Sequence, residues 1–199
     1  MRSIKHFIEQ SWLLITAAFL CGLLLALTNA ALKPRIQRNE IGEMYDKMKS
    51  LMPQAEKFEK VIPQAEIAGN ETDVYEALGT SNQVLGFSFV GTGYGFADQI
   101  KLVIAVNADA SMLLGFDVLF SNETPNFGSR MTEDWFRQQF VDAPTGTLEL
   151  IKTGKADKEK DQILALSGAT VTSEAVVRIF NNHISELKKL LKEKGLITE

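Results

Sequence analysis

Cysteine and histidine are nearly absent from this sequence, which limits the covalent and metal chemistry open to it. Cys21 is the only cysteine, so the chain has no disulfide framework of its own. Neither Cys21 nor the two histidines, His6 and His183, has partners at the spacing of metal ligands, so we predict structural roles for them and no metal site. The formal net charge is −4 and there is no basic stripe, so no nucleic-acid partner is expected.

Charge is missing from an apolar run at residues 12–32, and this absence indicates a membrane segment. As a helix the run extends about 30 Å, the thickness of the hydrocarbon core of a bilayer. A cleaved signal peptide is the alternative, since Thr28, Asn29 and Ala30 offer small residues, but its apolar region is usually only about 7–15 residues long. We therefore predict one retained transmembrane helix there, preceded by a short tail at residues 1–11.

Helical periodicity continues after the apolar run, through residues 33–60. Apolar side chains recur there with the i, i+3, i+4, i+7 spacing of an amphipathic helix. They are Ile41, Met44, Tyr45, Met48, Leu51 and Met52. Pro34 and Pro53 are predicted to bound this helix, and the polar residues 63–73 are predicted to form a loop. Two roles for the helix stay open: packing on its own domain, or presenting a methionine-rich face to a partner protein.

Short segments rich in β-forming residues follow, each separated from the next by turn residues. The predicted strands are residues 74–78, 84–90, 100–107 and 112–121. Turns at residues 79–82 and 107–111 give the spacing of an antiparallel meander, and not that of alternating strands and helices. The sequence therefore predicts an α+β fold, an antiparallel-rich sheet with helices packed on it.

The region after the meander is predicted to mix short elements. Residues 132–140 indicate a short helix with Thr132 as its N-cap. Its predicted core residues are Trp135, Phe136 and Phe140. Residues 148–152 are a predicted strand, and residues 154–160 a predicted charged surface loop.

The most informative stretch, residues 164–174, passes from an apolar segment through a small polar turn into an amphipathic helix. Ser173 is the predicted N-cap of that helix. The predicted apolar face consists of Val176, Val177, Phe180, Ile184, Leu187, Leu190 and Leu191. The unpaired N–H groups and partial positive charge at such a helix start suit a phosphate. Gly168 and Ala169 leave room for its approach, and Thr170 presents a hydroxyl beside it. A polar turn that only caps the helix is the simpler alternative.

Two other stretches are also candidates for a binding site. The glycine-rich residues 91–96 are predicted to connect two strands. They are not a dinucleotide-binding fingerprint, because they open no helix and lack the acidic residue expected to meet a ribose. In residues 122–130, Pro125 fixes one dihedral angle and Gly128 can adopt a positive φ, so a well-determined loop is predicted. Taken singly, each stretch is also compatible with an ordinary turn.

The run Ser-Gly-Ala-Thr at residues 167–170, followed by Val-Thr-Ser, resembles the flavinylation motif of the RnfG/NqrC family of membrane redox subunits. The resemblance implies that FMN is attached through its phosphate to the hydroxyl of Thr170. Two further segments match the family in the same order. The first is the glycine–aromatic loop at residues 93–96. The second is residues 123–128, a segment that resembles the family's Glu-Thr-Pro-Gly-Leu-Gly.

Asn126 and Phe127 stand where the family segment has Gly and Leu. An isoalloxazine needs a flat apolar surface and hydrogen-bond partners at its pyrimidine edge. We expect Phe127 to supply the surface, and Glu123 and Thr124 to address the edge or the ribityl hydroxyls. The predicted cofactor-binding residues are Tyr94, Gly95, Phe96, Glu123, Thr124, Phe127, Gly128, Ser167, Gly168, Ala169, Thr170 and Thr172. No catalytic residue is predicted, since no general acid, base or nucleophile constellation is evident.

The resemblance implies an electron-transfer subunit of a membrane-bound, ion-translocating redox complex, an Rnf-type ferredoxin:NAD oxidoreductase or its Nqr relative. It also implies partners, namely the other membrane subunits and a flavin transferase for maturation. A short tail ahead of a large domain is typical of a signal anchor that exports the domain, and the resemblance implies the same arrangement. It implies an inner-membrane protein with residues 1–11 in the cytoplasm, residues 33–73 as a stem and linker, and residues 74–199 as an FMN-binding domain on the periplasmic or outer face.

Two alternatives stay open. The family usually has Asp where this chain has Leu164, which leaves open an anchored extracytoplasmic interaction domain of the same fold without flavin. A stand-alone membrane-tethered flavin reductase is the other alternative.

Overall fold

The computed structural model describes residues 2–154, 156–157 and 161–197. Met1 of the predicted tail, part of the predicted charged loop at residues 154–160, and the last two residues of the predicted flavin domain lie outside the described residues. The chain divides into two compact units, Met1–Glu43 and Met44–Glu199.

The first helix, α1 (Arg2–Leu51), is uninterrupted and contains Pro34. Pro34 as a helix boundary was therefore a wrong prediction, because a proline removes one backbone hydrogen bond but the turns on either side remain helical. The predicted boundary at Pro53 is confirmed, since the helix ends at Leu51. The predicted helix at residues 33–60 is correspondingly too long at its carboxyl end.

The stretch of helix from Ser11 to Leu51 is long and apolar enough to cross a membrane, by length and composition. The large apolar side chains of residues 12–32 are exposed, with Leu14 at 74% and Leu25 at 72% of their full accessible area. Leucines exposed at this density, without intervening charges, suit contact with lipid tails. The helix is thus a candidate membrane anchor.

The second unit is built on a five-stranded antiparallel sheet whose spatial order follows the chain. The strands are β1 (Lys57–Ile67), β2 (Asn70–Leu78), β3 (Val84–Tyr94), β4 (Gln99–Asn107) and β5 (Leu113–Phe120). The predicted antiparallel meander and the α+β fold class are confirmed.

The edge strand β1 was missed, and the loop predicted at residues 63–73 was wrong. The pairing of β1 with β2 shifts register between Lys60 and Ile62 and again between Ile62 and Ala65. These irregularities break the alternation of apolar and polar residues that identifies a strand. Pro63 lies within the irregular part, at a sheet edge where a missing N–H is tolerated.

The glycine-rich residues 91–96 do not form a connection along their whole length, because β3 continues to Tyr94. Gly91 and Gly93 pair with β4 inside the sheet. A Cβ at Gly93 would lie 2.6 Å from Ile179 Cγ1, and one at Gly91 would lie 2.9 Å from Ile179 Cγ2. These glycines therefore allow close packing of a helix on the strand, whereas the prediction assigned them to a turn.

That helix, α3 (Thr170–Glu193), covers the face of the sheet that carries most of the core. The predicted apolar face is confirmed: Val176, Val177, Phe180, Ile184, Leu187 and Leu191 are buried, and Leu190 is partly buried. Phe180 stacks on Phe140 with ring centroids 4.6 Å apart, and Phe116 meets Phe140 edge-on at 4.9 Å. Aromatic packing thus joins α3 to the segment after β5.

The last turns of α1 cover the other face of the sheet. Met44 and Met48 are buried and pack with Tyr75 and Val103. Along β4, Leu102 and Ile104 flank Val103 and point to the opposite face, where they belong to the core under α3. Of the two roles left open for the methionines, packing on their own domain is therefore the one that the structure shows for Met44 and Met48.

The segment after β5 contains a 3₁₀ helix (Gly128–Thr132) and the single helical turn α2 (Asp134–Arg137). Thr132 as an N-cap was a wrong prediction, since its hydroxyl donates to the carbonyl of Ser129. Phe136 and Phe140 are buried as predicted. Trp135 is 42% exposed and was wrongly assigned to the core, because its indole N–H donates to Glu133 at the surface.

Two short parallel strands, β6 (Glu149–Ile151) and β7 (Gln162–Leu164), lead into α3. The strand predicted at residues 148–152 is confirmed by β6. The side chain of Gln139 lies beside β7, accepting from the Leu164 N–H at 2.7 Å and donating to the Leu164 carbonyl at 3.3 Å. This pair of bonds fixes the backbone just before the Ser-Gly-Ala-Thr run.

Candidate functional site

A cleft of about 490 Å³ lies at the N-terminal end of α3, within the size range of small-molecule and cofactor sites. The residues that line it are Phe96, Glu123, Thr124, Phe127, Gly128, Gly168, Ala169, Thr170, Val171 and Thr172. The structure thus brings together most of the predicted site residues from three separate stretches of chain. Val171 was not predicted; it follows Thr170 and is 50% exposed.

The helix begins at Thr170, and the residue in the N-cap position is Ala169, which provides no side-chain cap. Ser173 was wrongly predicted as the N-cap. It lies buried in the first turn, where its hydroxyl accepts from the Leu166 N–H at 2.9 Å and donates to the Ala169 carbonyl at 3.0 Å. Its bonds tie the polar turn to the helix from inside.

The first turn of α3 leaves backbone donors at the cleft. None of the residues that the structure describes accepts a hydrogen bond from the backbone N–H of Thr170, Val171 or Thr172. Helix geometry provides these groups with no intrahelical acceptor, and the helix dipole adds partial positive charge. This end of the cleft therefore suits an anion such as a phosphate.

A close approach of two chain segments shapes the middle of the cleft. Gly168 has a φ of +79°, which favours glycine, and a Cβ there would lie 3.1 Å from Cδ1 of Phe127. Phe127 lies against Gly168 and is 52% exposed, so part of its ring remains free at the cleft. It can offer a planar apolar surface to a ring system.

The loop that carries Phe127 takes its shape from Asn126, whose φ is +62°. Asparagine tolerates this left-handed conformation better than most side chains, so it suits a position where glycine is otherwise favoured. Gly128 does not adopt the positive φ that the sequence suggested for it. Its small size matters for packing instead, since a Cβ would lie 2.6 Å from Glu123 Oε2 and 2.7 Å from Thr172 Oγ1.

Glu123 is a buried carboxylate in the wall of the cleft, only 7% exposed. Its Oε1 accepts from the Ala97 N–H at 2.9 Å, and its Oε2 accepts from the hydroxyl of Thr172. Each carboxylate oxygen therefore has a partner in the protein. Its expected contact with a flavin edge stays a prediction, and the contacts seen here are with the chain itself.

The turn between β3 and β4 supplies the remaining wall. The Gly95 N–H donates to the Asp98 carbonyl at 2.8 Å, and a Cβ at Gly95 would lie 2.7 Å from Ile100 Cδ1 and 2.9 Å from Glu123 Cδ. Phe96 lines the cleft and is largely exposed, whereas Gly95 supports the cleft from behind.

Tyr94 and Ser167 are predicted site residues that do not line this cleft. Tyr94 borders a second cleft of about 370 Å³, and its carbonyl accepts from Arg178 at 2.8 Å. Ser167 is exposed in the turn before α3.

His183 lies on the second cleft, and its ring nitrogens both have partners. Nε2 accepts from the Thr92 N–H at 3.2 Å, which leaves Nδ1–H to donate to the Ile179 carbonyl at 2.8 Å. Burial lowers the pKa of His183, which favours this neutral form. Among the described residues, no cluster of histidine, cysteine and carboxylate side chains is arranged to hold a metal ion.

Comparison with known proteins gives a consistent result. The FMN-binding domain family matches residues 95–185, which include every residue that lines the cleft. The G subunit of the ion-translocating oxidoreductase complex of Methanosarcina acetivorans is 31% identical over 166 residues, covering 82% of this chain and 85% of that protein. The G subunit of the proton-translocating ferredoxin:NAD(+) oxidoreductase complex of Clostridium ljungdahlii is 28% identical, and the match covers 83% of each chain.

A solved structure shares the fold. The crystal structure of NqrC from Shewanella oneidensis superposes with a TM-score of 0.57 at 21% identity, over 71% of this chain and 73% of that chain.

Proposed function

The chain belongs to the RnfG/NqrC family of FMN-binding subunits, and from this premise we propose that it is the electron-transfer subunit of RnfG type in an ion-translocating ferredoxin:NAD oxidoreductase complex. Relatives that cover most of its length are, by name, the G subunits of such complexes. The observation that carries the proposal is the position of Thr170. It is the first residue of α3, and it lines a cleft that also receives three available backbone donors.

The residues of the cleft fit FMN in chemistry and in size. The N–H groups of Thr170, Val171 and Thr172 suit the phosphate end, because they are oriented donors at a helix start. Phe127 and Phe96 suit the ring end, because both are exposed aromatic side chains at the same cleft. Donors for a phosphate and apolar surfaces for a ring thus lie at one opening.

We place the attachment at Thr170, as a phosphoester between its Oγ1 and the phosphate. The new Oγ1–P bond replaces the O–H bond of Thr170 and one P–O bond of the flavin donor, so the chain gains one FMN less the elements of water. Ser167 is exposed but does not line the cleft, and Thr172 is buried with its hydroxyl bonded to Glu123. Thr170 is the hydroxyl of this run that combines partial exposure with a place in the cleft. A flavin transferase is the partner that this modification requires.

When bound, FMN supplies the electron-accepting and electron-donating chemistry. The chain's own residues bind and orient it: the start of α3 binds the anionic end, Gly168 allows close approach, and Phe127 limits water at one ring face. The other membrane subunits of the complex are the partners for electron transfer.

The length and composition of α1 support a membrane location. We propose that residues 12–32 cross the inner membrane, with residues 1–11 in the cytoplasm and the flavin domain on the periplasmic or outer face. A covalent bond retains the cofactor there, since a site that binds its ligand non-covalently is mostly empty when the free ligand concentration is below its Kd.

The test uses the full chain produced together with a flavin transferase. The purified protein is run on a denaturing gel, viewed under ultraviolet light, and analysed by intact mass. We expect a fluorescent band whose mass exceeds that of the unmodified chain by one FMN less one water, and a dark band for Thr170→Ala. Thr80→Ala is the matched control, because Thr80 is an exposed threonine in the turn between β2 and β3 and should stay fluorescent.

A dark wild-type band of unchanged mass would refute the covalent attachment and favour the flavin-free interaction domain. Fluorescence that persists in Thr170→Ala would move the attachment to another residue. Purification from the native membrane separates the redox subunit from a stand-alone reductase, since only the former should copurify with other hydrophobic subunits.

A further inference from the structure

Thr170 and Thr172 are two residues apart on a helix, so their side chains point about 200° apart around its axis. Thr170 is partly exposed at the cleft, whereas Thr172 is only 2% exposed. The hydroxyl of Thr172 donates to Oε2 of Glu123, a residue 49 positions earlier in the chain. Both residues belong to one helical turn, so the rotation about the helix axis that places Thr172 against Glu123 also sets the direction of the Thr170 side chain, and Thr170 lines the cleft.

The carboxylate of Glu123 joins three segments of the chain. Through Ala97 it holds the turn between β3 and β4, and through Thr172 it holds the first turn of α3. Gly95 and Gly128 leave the space that the carboxylate occupies, because a Cβ at either position would lie within 3.0 Å of Glu123 atoms. A larger residue at either position would displace the Glu123 carboxylate.

The start of α3 has no side-chain N-cap that could fix its first turn. The contacts of this turn with the rest of the domain are instead made from inside, by Thr172 and Ser173. Within the part of the chain that the structure describes, the Ser173 hydroxyl bonds only to the nearby Leu166 and Ala169, whereas the Thr172 hydroxyl bonds to Glu123 in a different wall of the cleft.

We propose that Glu123 is a positioning residue, which acts through Thr172 to hold the first turn of α3 so that the Thr170 hydroxyl faces the cleft. This inference rests on the proposed function, because it concerns the orientation of the attachment residue. It changes the role expected for Glu123 from direct contact with the flavin to control of where the flavin is attached.

The bond between Thr172 and Glu123 is tested by two substitutions that differ in one group. Thr172→Val keeps the shape of the side chain but removes the hydroxyl, and leaves a buried carboxylate oxygen without its donor. Thr172→Ser keeps the hydroxyl and removes only a methyl group. With the transferase supplied, we expect attachment of flavin to be about tenfold slower or more for Thr172→Val, and within about threefold of wild type for Thr172→Ser.

Glu123 is tested in the same way. In Glu123→Gln the amide oxygen can accept from Ala97 and the amide N–H₂ can donate to the Thr172 oxygen, so we expect most of the attachment rate to be kept. Glu123→Met is similar in length but offers neither group, and should slow attachment as much as Thr172→Val does. Far-ultraviolet circular dichroism of each variant shows whether it is folded. If Glu123→Met does not fold, the comparison of Thr172→Val with Thr172→Ser tests the proposal by itself.

A double-mutant cycle separates positioning from recognition of the motif by the transferase. If Glu123 acts through Thr172, the double variant Glu123→Met/Thr172→Val attaches flavin no more slowly than the slower single variant. Multiplicative slowing would refute the proposal, because it would mean that the two residues act independently. A second readout is the visible circular dichroism of the attached flavin, which should change in Thr172→Val and be restored in Thr172→Ser.

Thr170→Ala, measured in parallel, separates the two proposals. Flavin attached to Thr170→Ala would overturn the proposed attachment and this inference with it. A dark Thr170→Ala band, combined with wild-type rates for Thr172→Val and Glu123→Met, would overturn this inference alone.

Discussion

Substitution of Gly128 by alanine would act directly on the cleft wall. Gly128 is buried at the start of the 3₁₀ helix, and a Cβ there would lie 2.6 Å from Glu123 Oε2, 2.7 Å from Thr172 Oγ1 and 2.8 Å from Glu123 Cβ. Contacts this short do not persist, so Glu123 and Thr172 must move. Because Glu123 Cβ is close to the backbone and not at the end of a flexible chain, a change of rotamer alone does not relieve the contact.

The expected cost has two parts. Overpacking of a buried site typically costs about 1–3 kcal/mol, and disturbing a buried hydrogen bond to a charged group costs a similar amount. Since both parts arise from one displacement, we expect the free energy of unfolding to fall by about 2–4 kcal/mol in total. For a chain of this size that corresponds to a Tm lower by about 4–16 °C.

The measurement is thermal unfolding of the full chain in detergent, followed by circular dichroism or calorimetry. The protein is produced without the transferase, so that ligand binding does not contribute to stability. Gly146→Ala is the matched control, because a Cβ there has its nearest neighbour, Asp161 Oδ2, at an ordinary 3.5 Å and no positive φ is involved. A Gly128→Ala protein as stable as the Gly146→Ala protein would refute this account of the cleft wall.

Two further predictions concern stability away from the cleft. His183 is buried and its pKa is lowered, so below about pH 6.5 the unfolded chain binds a proton that the folded chain does not. As the pH is lowered through this range, the free energy of unfolding should fall by up to about 1.4 kcal/mol per pH unit. Urea unfolding at several pH values measures this slope, and an equal slope in His183→Asn would contradict the assignment. Met48→Ala should lower the free energy of unfolding by about 2–5 kcal/mol, because Met48 is fully buried under the sheet. The same measurement on Met112→Ala, which truncates a partly exposed methionine, should show a change of about 0.5 kcal/mol or less, and equal effects would contradict the packing described here.

Regular elements of the domain could be predicted from local pattern, and irregular ones could not. The helix α3 has a continuous apolar face, and β4 is a clear run of β-forming residues, so both were found. The strand β1 was missed because two register shifts disrupt its alternation. The start of α3 was placed too late, because Ser173 is a typical capping residue but bonds from within the first turn.

The components of the candidate site were identified by resemblance, and their arrangement needed the structure. The sequence assigns Glu123 and Thr172 to one site, but it does not reveal that they bond to each other, because they are distant in the chain. The roles of the glycines were also hidden. Gly128 and Gly93 have no room for a side chain because another segment of the chain lies against them, and no local sequence pattern indicates this.

The bonds of Glu123 have a consequence for when the site comes into existence. Its partners are 26 and 49 residues away in the chain, so neither bond can form from a short peptide alone. A nascent or denatured polypeptide contains the Ser-Gly-Ala-Thr sequence but lacks the cleft walls that surround it in the native domain. An antibody raised against the native cleft walls would therefore distinguish folded from unfolded molecules, whereas an antibody raised against the linear peptide would not.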